Sequence, residues 1–182
     1  MSVPELTTEA DAAEIEALLD VSFGPDRQKK ASYRLREGVP PIPELCFVLR
    51  EAGILRGSIA FTPVIIRPDE KGKPPVDALL LGPLAVDPHL RGQGLGARLM
   101  MRGLEEAQAL GHKRVILVGD YPYYRKFGFV QTASGQFKFP GPVDDNRILI
   151  QELKKGAFKN VSGSVERAVP QAQAKQVKAR RA

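Results

Sequence analysis

The chain has no tryptophan, two histidines and one cysteine among its 182 residues. One cysteine cannot close an internal disulfide, so a reducing, cytoplasmic setting is expected. Cys46 stands inside the apolar run Leu45-Cys46-Phe47-Val48-Leu49, the surroundings of a packed thiol and not of a nucleophile. No apolar run approaches the roughly 20 residues needed to cross a bilayer. The opening Met1-Ser2-Val3-Pro4-Glu5 has neither the basic nor the apolar region of a secretory signal, so neither a signal peptide nor a membrane anchor is expected.

A nucleic-acid partner is also not expected, although the formal charge is +6. The segment from Pro170 to Ala182 holds Lys175, Lys178, Arg180 and Arg181 and no acidic residue; without these four charges the total falls to +2. That segment lacks Leu, Ile and aromatics and reads as a frayed tail. The predicted organisation is therefore one domain over residues 1–168 and a basic tail over 169–182, with 43% hydrophobic content to build a single core.

Apolar spacing predicts a helix over Thr8–Phe23 and a second, polar one over Arg27–Glu37. Strands are predicted at Glu44–Arg50, Gly57–Ile66, Ala78–Val86, Arg114–Val118, Arg147–Leu153 and Phe158–Arg167. The last two should form a terminal hairpin. Ala78–Val86 is apolar without a break, the pattern of a strand buried on both faces. Gly82-Pro83 within it predicts a local bulge, because proline cannot donate a ladder hydrogen bond. A helix should run from Leu95 to Leu110, with Leu95, Leu99, Leu104, Ala107 and Leu110 on one stripe and Gly111 ending it. Strand–helix–strand here implies a mixed α/β (α+β) sheet with a parallel pair.

Between that buried strand and that helix lies Arg91-Gly92-Gln93-Gly94-Leu95-Gly96. Glycines allow a ligand close to the backbone, and the unpaired N–H groups of a helix start form the positive end of its dipole. Such a loop holds phosphate. Two spellings of it compete. Gly92-Gln93-Gly94-Leu95-Gly96-Ala97 satisfies the dinucleotide pattern G-x-G-x-x-A. In that fold, however, the first glycine follows the strand at once, whereas five residues, Asp87 to Arg91, intervene here. A nucleotide P-loop is excluded, since no Gly-Lys-Ser or Gly-Lys-Thr follows.

The other spelling is (R/Q)-x-x-G-x-(G/A), and with it the chain resembles the GNAT superfamily of N-acetyltransferases. Leu84-Ala85-Val86-Asp87-Pro88 before the loop is similar to that family as well. So is Tyr124-Arg125-Lys126-Phe127-Gly128-Phe129 after it, a match to the second signature Y-x-x-x-G-F. The resemblance spans about Pro4 to Glu166. It implies a central, mostly antiparallel sheet with a splayed parallel pair, flanked by helices, and acetyl-CoA as co-substrate without a metal. It also implies direct transfer of the acetyl group to a primary amine in a ternary complex. Sheet-edge homodimers occur in the family. A CoA-binding sensor without catalysis is the alternative.

By this resemblance Arg91, Gly92, Gln93, Gly94, Leu95 and Gly96 hold the pyrophosphate, and Leu84, Ala85 and Val86 offer a free strand edge to the pantetheine arm. A backbone N–H near Val86 would polarise the thioester carbonyl. Tyr124 matches the family's catalytic tyrosine, an acid protonated at neutral pH. Tyr121 and Tyr123 stand close enough to replace it, or all three simply pack a short helix. Glu44 and Asp120 are candidate general bases, each also readable as a surface carboxylate. His89 and His112 fall in turns flanking the helix. Leu117 occupies the place where the family often has an asparagine. The acceptor, a small-molecule or peptide amine, should meet Phe23–Pro43 and Ser134–Asn146. Arg27, Lys29, Lys30, Arg34 and Arg36 make the first of these basic, either as a solvated face or toward an acidic or phosphorylated acceptor.

Overall fold

The apolar stretch ahead of the glycine loop forms the middle of a nine-stranded sheet in the computed structural model, which describes residues 2–169. The basic tail from Pro170 onward lies outside the described residues. The strands are β1 (Glu5–Leu6), β2 (Phe47–Glu51), β3 (Ile54–Arg67), β4 (Val76–Val86), β5 (Arg114–Val118), β6 (Val130–Gln131), β7 (Phe137–Lys138), β8 (Ile148–Glu152) and β9 (Gly163–Arg167). Their order is β1-β2-β3-β4-β5-β8-β6, with β9 pairing both β3 and β7. The β4–β5 pair is parallel, as is β7–β9; the other pairings are antiparallel.

The helices are α1 (Ala12–Phe23), α2 (Ala31–Arg34), α3 (Leu95–Ala109) and α4 (Tyr121–Tyr124). Helix α3 lays Leu95, Leu99, Met100, Leu104 and Ala107 on one face of the sheet, against Phe47, Leu49, Ile59, Phe61, Leu79 and Leu81. Ala78 and Leu80 point the other way, into a second cluster with Leu35, Phe137, Phe158 and Val165. Alternate side chains of a strand face opposite sides, so β4 is indeed buried on both. Helix α1 covers Val48, Leu55 and Ala85 with Leu18 and Leu19.

The predicted bulge is present. Ile59 pairs with Leu84 and Phe61 with Leu81, so Gly82 and Pro83 together face the single residue Ala60. One extra residue reverses the side-chain alternation beyond it. As a result Leu84 and Val86, not Pro83 and Ala85, pack on the α3 side.

Four expectations need correction. Arg147–Leu153 and Phe158–Arg167 do not form a hairpin, because β8 pairs with β5 and β6 while β9 pairs with β3 and β7. The loop between them turns through residues 154–160 and carries the chain across to the far half of long β3. Glu44 does not begin a strand; Pro43–Leu45 is a 3-10 turn, started by proline at its first position. The second helix is broken into a 3-10 turn, Pro25–Lys29, and the single turn α2. Leu110 is not on the buried stripe of α3 but 48% exposed, since the helix ends one residue before it.

Candidate active site

The parallel register of β4 and β5 covers only Leu79–Val115 and Leu80–Ile116. Beyond it the two strands part, β4 running on through its bulge to Val86 and β5 to Val118. The amide of Asp87 donates to Arg56 O on the β3 side at 2.8 Å. Antiparallel alternation then turns the N–H groups of Val86 and Leu84 away from β3, into the opening. A free strand edge therefore stands where the two parallel strands separate.

Helix α3 begins at the head of this opening. Gly92 and Gly94 have φ of +82° and +83°, a left-handed conformation that a side chain disfavours. These turns bring the loop round so that α3 starts pointing at the gap. The Arg98 amide donates to Gly94 O at 3.1 Å. The preceding amides of Leu95, Gly96 and Ala97 are the usual unpaired donors of a helix start. Asp87 steadies the approach to the loop. Its carboxylate accepts from the His89 amide at 3.0 Å and from Arg56 Nη1 at 2.6 Å, and these contacts, the His89 amide foremost, hold its pKa below the ordinary carboxylate value.

A cavity of about 640 Å³ lies along this surface. Leu84, Ala85, Val86, Arg91, Gly92, Gly94, Leu95 and Gly96 line it, so the two predicted stretches meet in space. Gln93 is exposed and is not part of the lining. Tyr123 closes the opposite wall: a β-carbon at Gly96 would stand 2.6 Å from its hydroxyl oxygen.

A second cavity, of about 380 Å³, opens on the other side of the parted strands. Both predicted acceptor segments reach it, through Tyr33 and Arg36 from one and Val143 and Asp144 from the other. Arg34 ties them together by donating to Pro140 O at 3.0 Å. Phe23, Leu84, Asp120 and Tyr124 line both cavities.

Tyr124 is thus at the junction. Its ring meets Tyr123 edge-on at 5.0 Å between centroids and Phe129 at 5.8 Å. Burial, more than the neighbouring Tyr123 and Asp120, pushes its phenol well above the ordinary value near 10. Tyr121 packs on the core and lines neither cavity, while Tyr123 lines only the larger one. Of the candidate bases, Asp120 faces both cavities, with Arg147 Nε 3.3 Å from its Oδ1. Glu44 is exposed and lines neither cavity, because the 3-10 turn carries it to the surface. Cys46 is buried, its thiol donating to Ile42 O at 3.2 Å and pushed up by desolvation. Leu117 is a core residue, 1% exposed. His89 is exposed and His112 half-buried, and neither lines either of these two cavities. Phe23, expected only as the start of the acceptor segment Phe23–Pro43, and Gly119 have no motif of their own and reach the smaller cavity by folding.

Among the described residues no three His, Cys, Asp or Glu side chains cluster as a metal site would require, and no helix is long and apolar enough to cross a membrane.

A family model described as an acetyltransferase (GNAT) domain matches residues 43–131. The uncharacterized N-acetyltransferase YhbS of Escherichia coli K12 is 31% identical over 156 residues, which is 86% of this chain and 90% of that protein. YjhQ of the same organism, also an uncharacterized N-acetyltransferase, is 30% identical over 75% of this chain and 74% of its own length. The crystal structure of Escherichia coli YhbS in complex with CoA superposes with a TM-score of 0.73 at 30% identity, covering 91% of this chain and 89% of that one. A GNAT family acetyltransferase of Brucella melitensis in complex with acetyl-CoA gives 0.58 at 28% identity, covering 83% and 96%.

Proposed function

The chain belongs to the GNAT family of N-acetyltransferases, and on that premise we propose that it passes the acetyl group of acetyl-CoA directly to a primary amine while both substrates are bound. The observation that carries this reading is the meeting of two cavities at Tyr124, across the opening between β4 and β5.

In this reading the larger cavity takes the cofactor. The amides of the loop and the first turn of α3 bind the pyrophosphate, and Arg91 adds a positive charge at the rim. The pantetheine amides pair with the β4 edge at Leu84 and Val86 as an added strand would. The Val86 N–H donates to the thioester oxygen and stabilises the oxyanion as the amine adds to the carbonyl carbon. The tetrahedral intermediate collapses by breaking the carbon–sulfur bond. Tyr124 gives its proton to the departing thiolate, and Asp120 is the carboxylate best placed to receive the proton lost by the amine. The smaller cavity holds the acceptor. Residues 1–168 form the catalytic domain.

Calorimetric titration with acetyl-CoA, beside NADH and ATP as controls, tests the cofactor assignment. Binding of acetyl-CoA alone supports it, and binding of NADH instead overturns it in favour of the dinucleotide spelling. Amine-dependent release of free CoA thiol then tests catalysis. Acetyl-CoA binding without thiol release for any amine would favour the non-catalytic sensor.

A further inference from the structure

The basic segment that follows α1 is solvated at Lys29, Lys30 and Arg34, which are exposed, but not at Arg27 or Arg36. Arg27 is 3% exposed and pairs with Glu16 and Asp20 of α1. Lys29 pairs with Asp26 at 2.7 Å, and Arg34 donates to Pro140 O. Lys30 lies over the Phe23 ring at 5.5 Å. Each of these four has a partner within the fold. Arg36 differs.

Its guanidinium lines the smaller cavity, stacked at 4.9 Å on the Tyr33 ring. Nη2 lies against the β4 bulge, 3.2 Å from where a β-carbon at Gly82 would stand. Nε is sealed from solvent and has no hydrogen-bond partner. Desolvation pulls the pKa down to about 10, with Tyr33 the one group acting against it and no carboxylate contributing. A desolvated cation without a counter-charge is a costly arrangement. A planar guanidinium at a cavity wall is shaped to take a carboxylate through two parallel hydrogen bonds.

The same cavity carries Asp120 and Asp144. One Asp144 oxygen already accepts from the Asn146 amide at 3.0 Å, and Asp120 sits beside Arg147. Cation and carboxylates within a space of about 380 Å³ suit a small molecule that bears both charges.

We propose that the acceptor is a small amino carboxylic acid, its carboxylate held by Arg36 and its amino group facing Tyr124 and Asp120. This rests on the acetyl-transfer reading above. Of the three cations lining the cavity, Arg147 pairs with Asp120 and Lys30 lies over the Phe23 ring, so Arg36 is the one left to bind a ligand, and a single guanidinium matches a carboxylate better than a dianionic phosphate.

The test measures CoA-thiol release from acetyl-CoA with matched acceptors: amino acids, the corresponding carboxamides and decarboxylated amines, and phosphoethanolamine. The intact enzyme should turn over at least one amino acid with kcat/KM at least about tenfold above its carboxamide. Arg36→Gln should lower kcat/KM for that acid on the order of 10- to 100-fold, chiefly through KM, and leave the carboxamide nearly unchanged. Arg36→Lys, which keeps the charge without the fork, should fall between them. Acetyl-CoA affinity by calorimetry should stay the same in both variants. Equal turnover of acid and carboxamide by the intact enzyme overturns the proposal whatever the variants do. So does preference for phosphoethanolamine, or bound acetyl-CoA with no amino acid acetylated. Failure to bind acetyl-CoA at all strikes instead at the acetyl-transfer reading.

Discussion

The ring of Tyr124 lies directly on Gly119. A β-carbon at that glycine would stand 2.9 Å from Cδ2 and closer still to Cε2. Gly119 also donates its amide to Arg147 O at 2.9 Å, which fixes the end of β5 beneath the ring. The phenol therefore reaches the junction of the two cavities because nothing stands where a side chain would be. Gly119→Ala should displace the ring at a stability loss of about 1–3 kcal/mol. Thermal melting and steady-state kinetics check this: kcat should fall at least about tenfold with acetyl-CoA affinity little changed. An unchanged kcat would mean that the ring position does not matter to catalysis.

Tyr124→Phe removes the hydroxyl while keeping the packing on Tyr123 and Phe129. Under the proposed role as general acid, loss of this hydroxyl should lower kcat by about 10²–10⁴-fold without weakening acetyl-CoA binding. Burial raises the phenol, so the protonated, competent form persists to higher pH than in an exposed tyrosine. At saturating amine, kcat should not fall between neutrality and about pH 10, where an ordinary tyrosine is half ionised. A drop across that interval, lost in the phenylalanine variant, would contradict the raised value.

Asp11 predicts an acid-sensitive contribution to stability. Its Oδ2 accepts from the Thr8 amide at 2.7 Å and hydroxyl at 2.9 Å, and its Oδ1 from Arg50 Nη2 at 2.5 Å. The Thr8 amide, then Arg50, lowers its pKa below the unfolded value of 3.8. A carboxylate depressed on folding stabilises the native state above the unfolded pKa, and the gain is lost as pH falls through the folded one. Asp11→Asn should therefore destabilise by about 1 kcal/mol at neutral pH. The difference in melting temperature from the parent should shrink below about pH 4. A difference independent of pH would assign the effect to packing.

Much of this arrangement was legible because it rests on local rules. The unbroken apolar run at Ala78–Val86 is a central strand. Gly82-Pro83 is a bulge, and Arg114–Val118 is a strand with the predicted bounds. The short strands β1, β6 and β7 were not legible, since two residues carry no periodicity. The false hairpin arose from adjacency in sequence; β8 and β9 instead pair with strands far from them along the chain, where apolar surface was waiting to be covered. Among the site residues, the loop was readable from its glycines. The Y-x-x-x-G-F match pointed to Tyr124, but which of the three neighbouring tyrosines, and which of Glu44 and Asp120, lines both cavities was not readable, because that depends on which way short turns face.

The sequence by itself determined the family, the glycine-rich loop that opens α3 and the order of the main elements, since spacing and glycine chemistry act over a few residues. Only the tertiary structure decided that β4 and β5 part after two paired residues, that the two cavities meet at Tyr124, and that Arg36 alone among five basic neighbours turns inward without a counter-charge. Those outcomes depend on packing and charge pairing between segments tens of residues apart. No local pattern encodes where such segments come to rest.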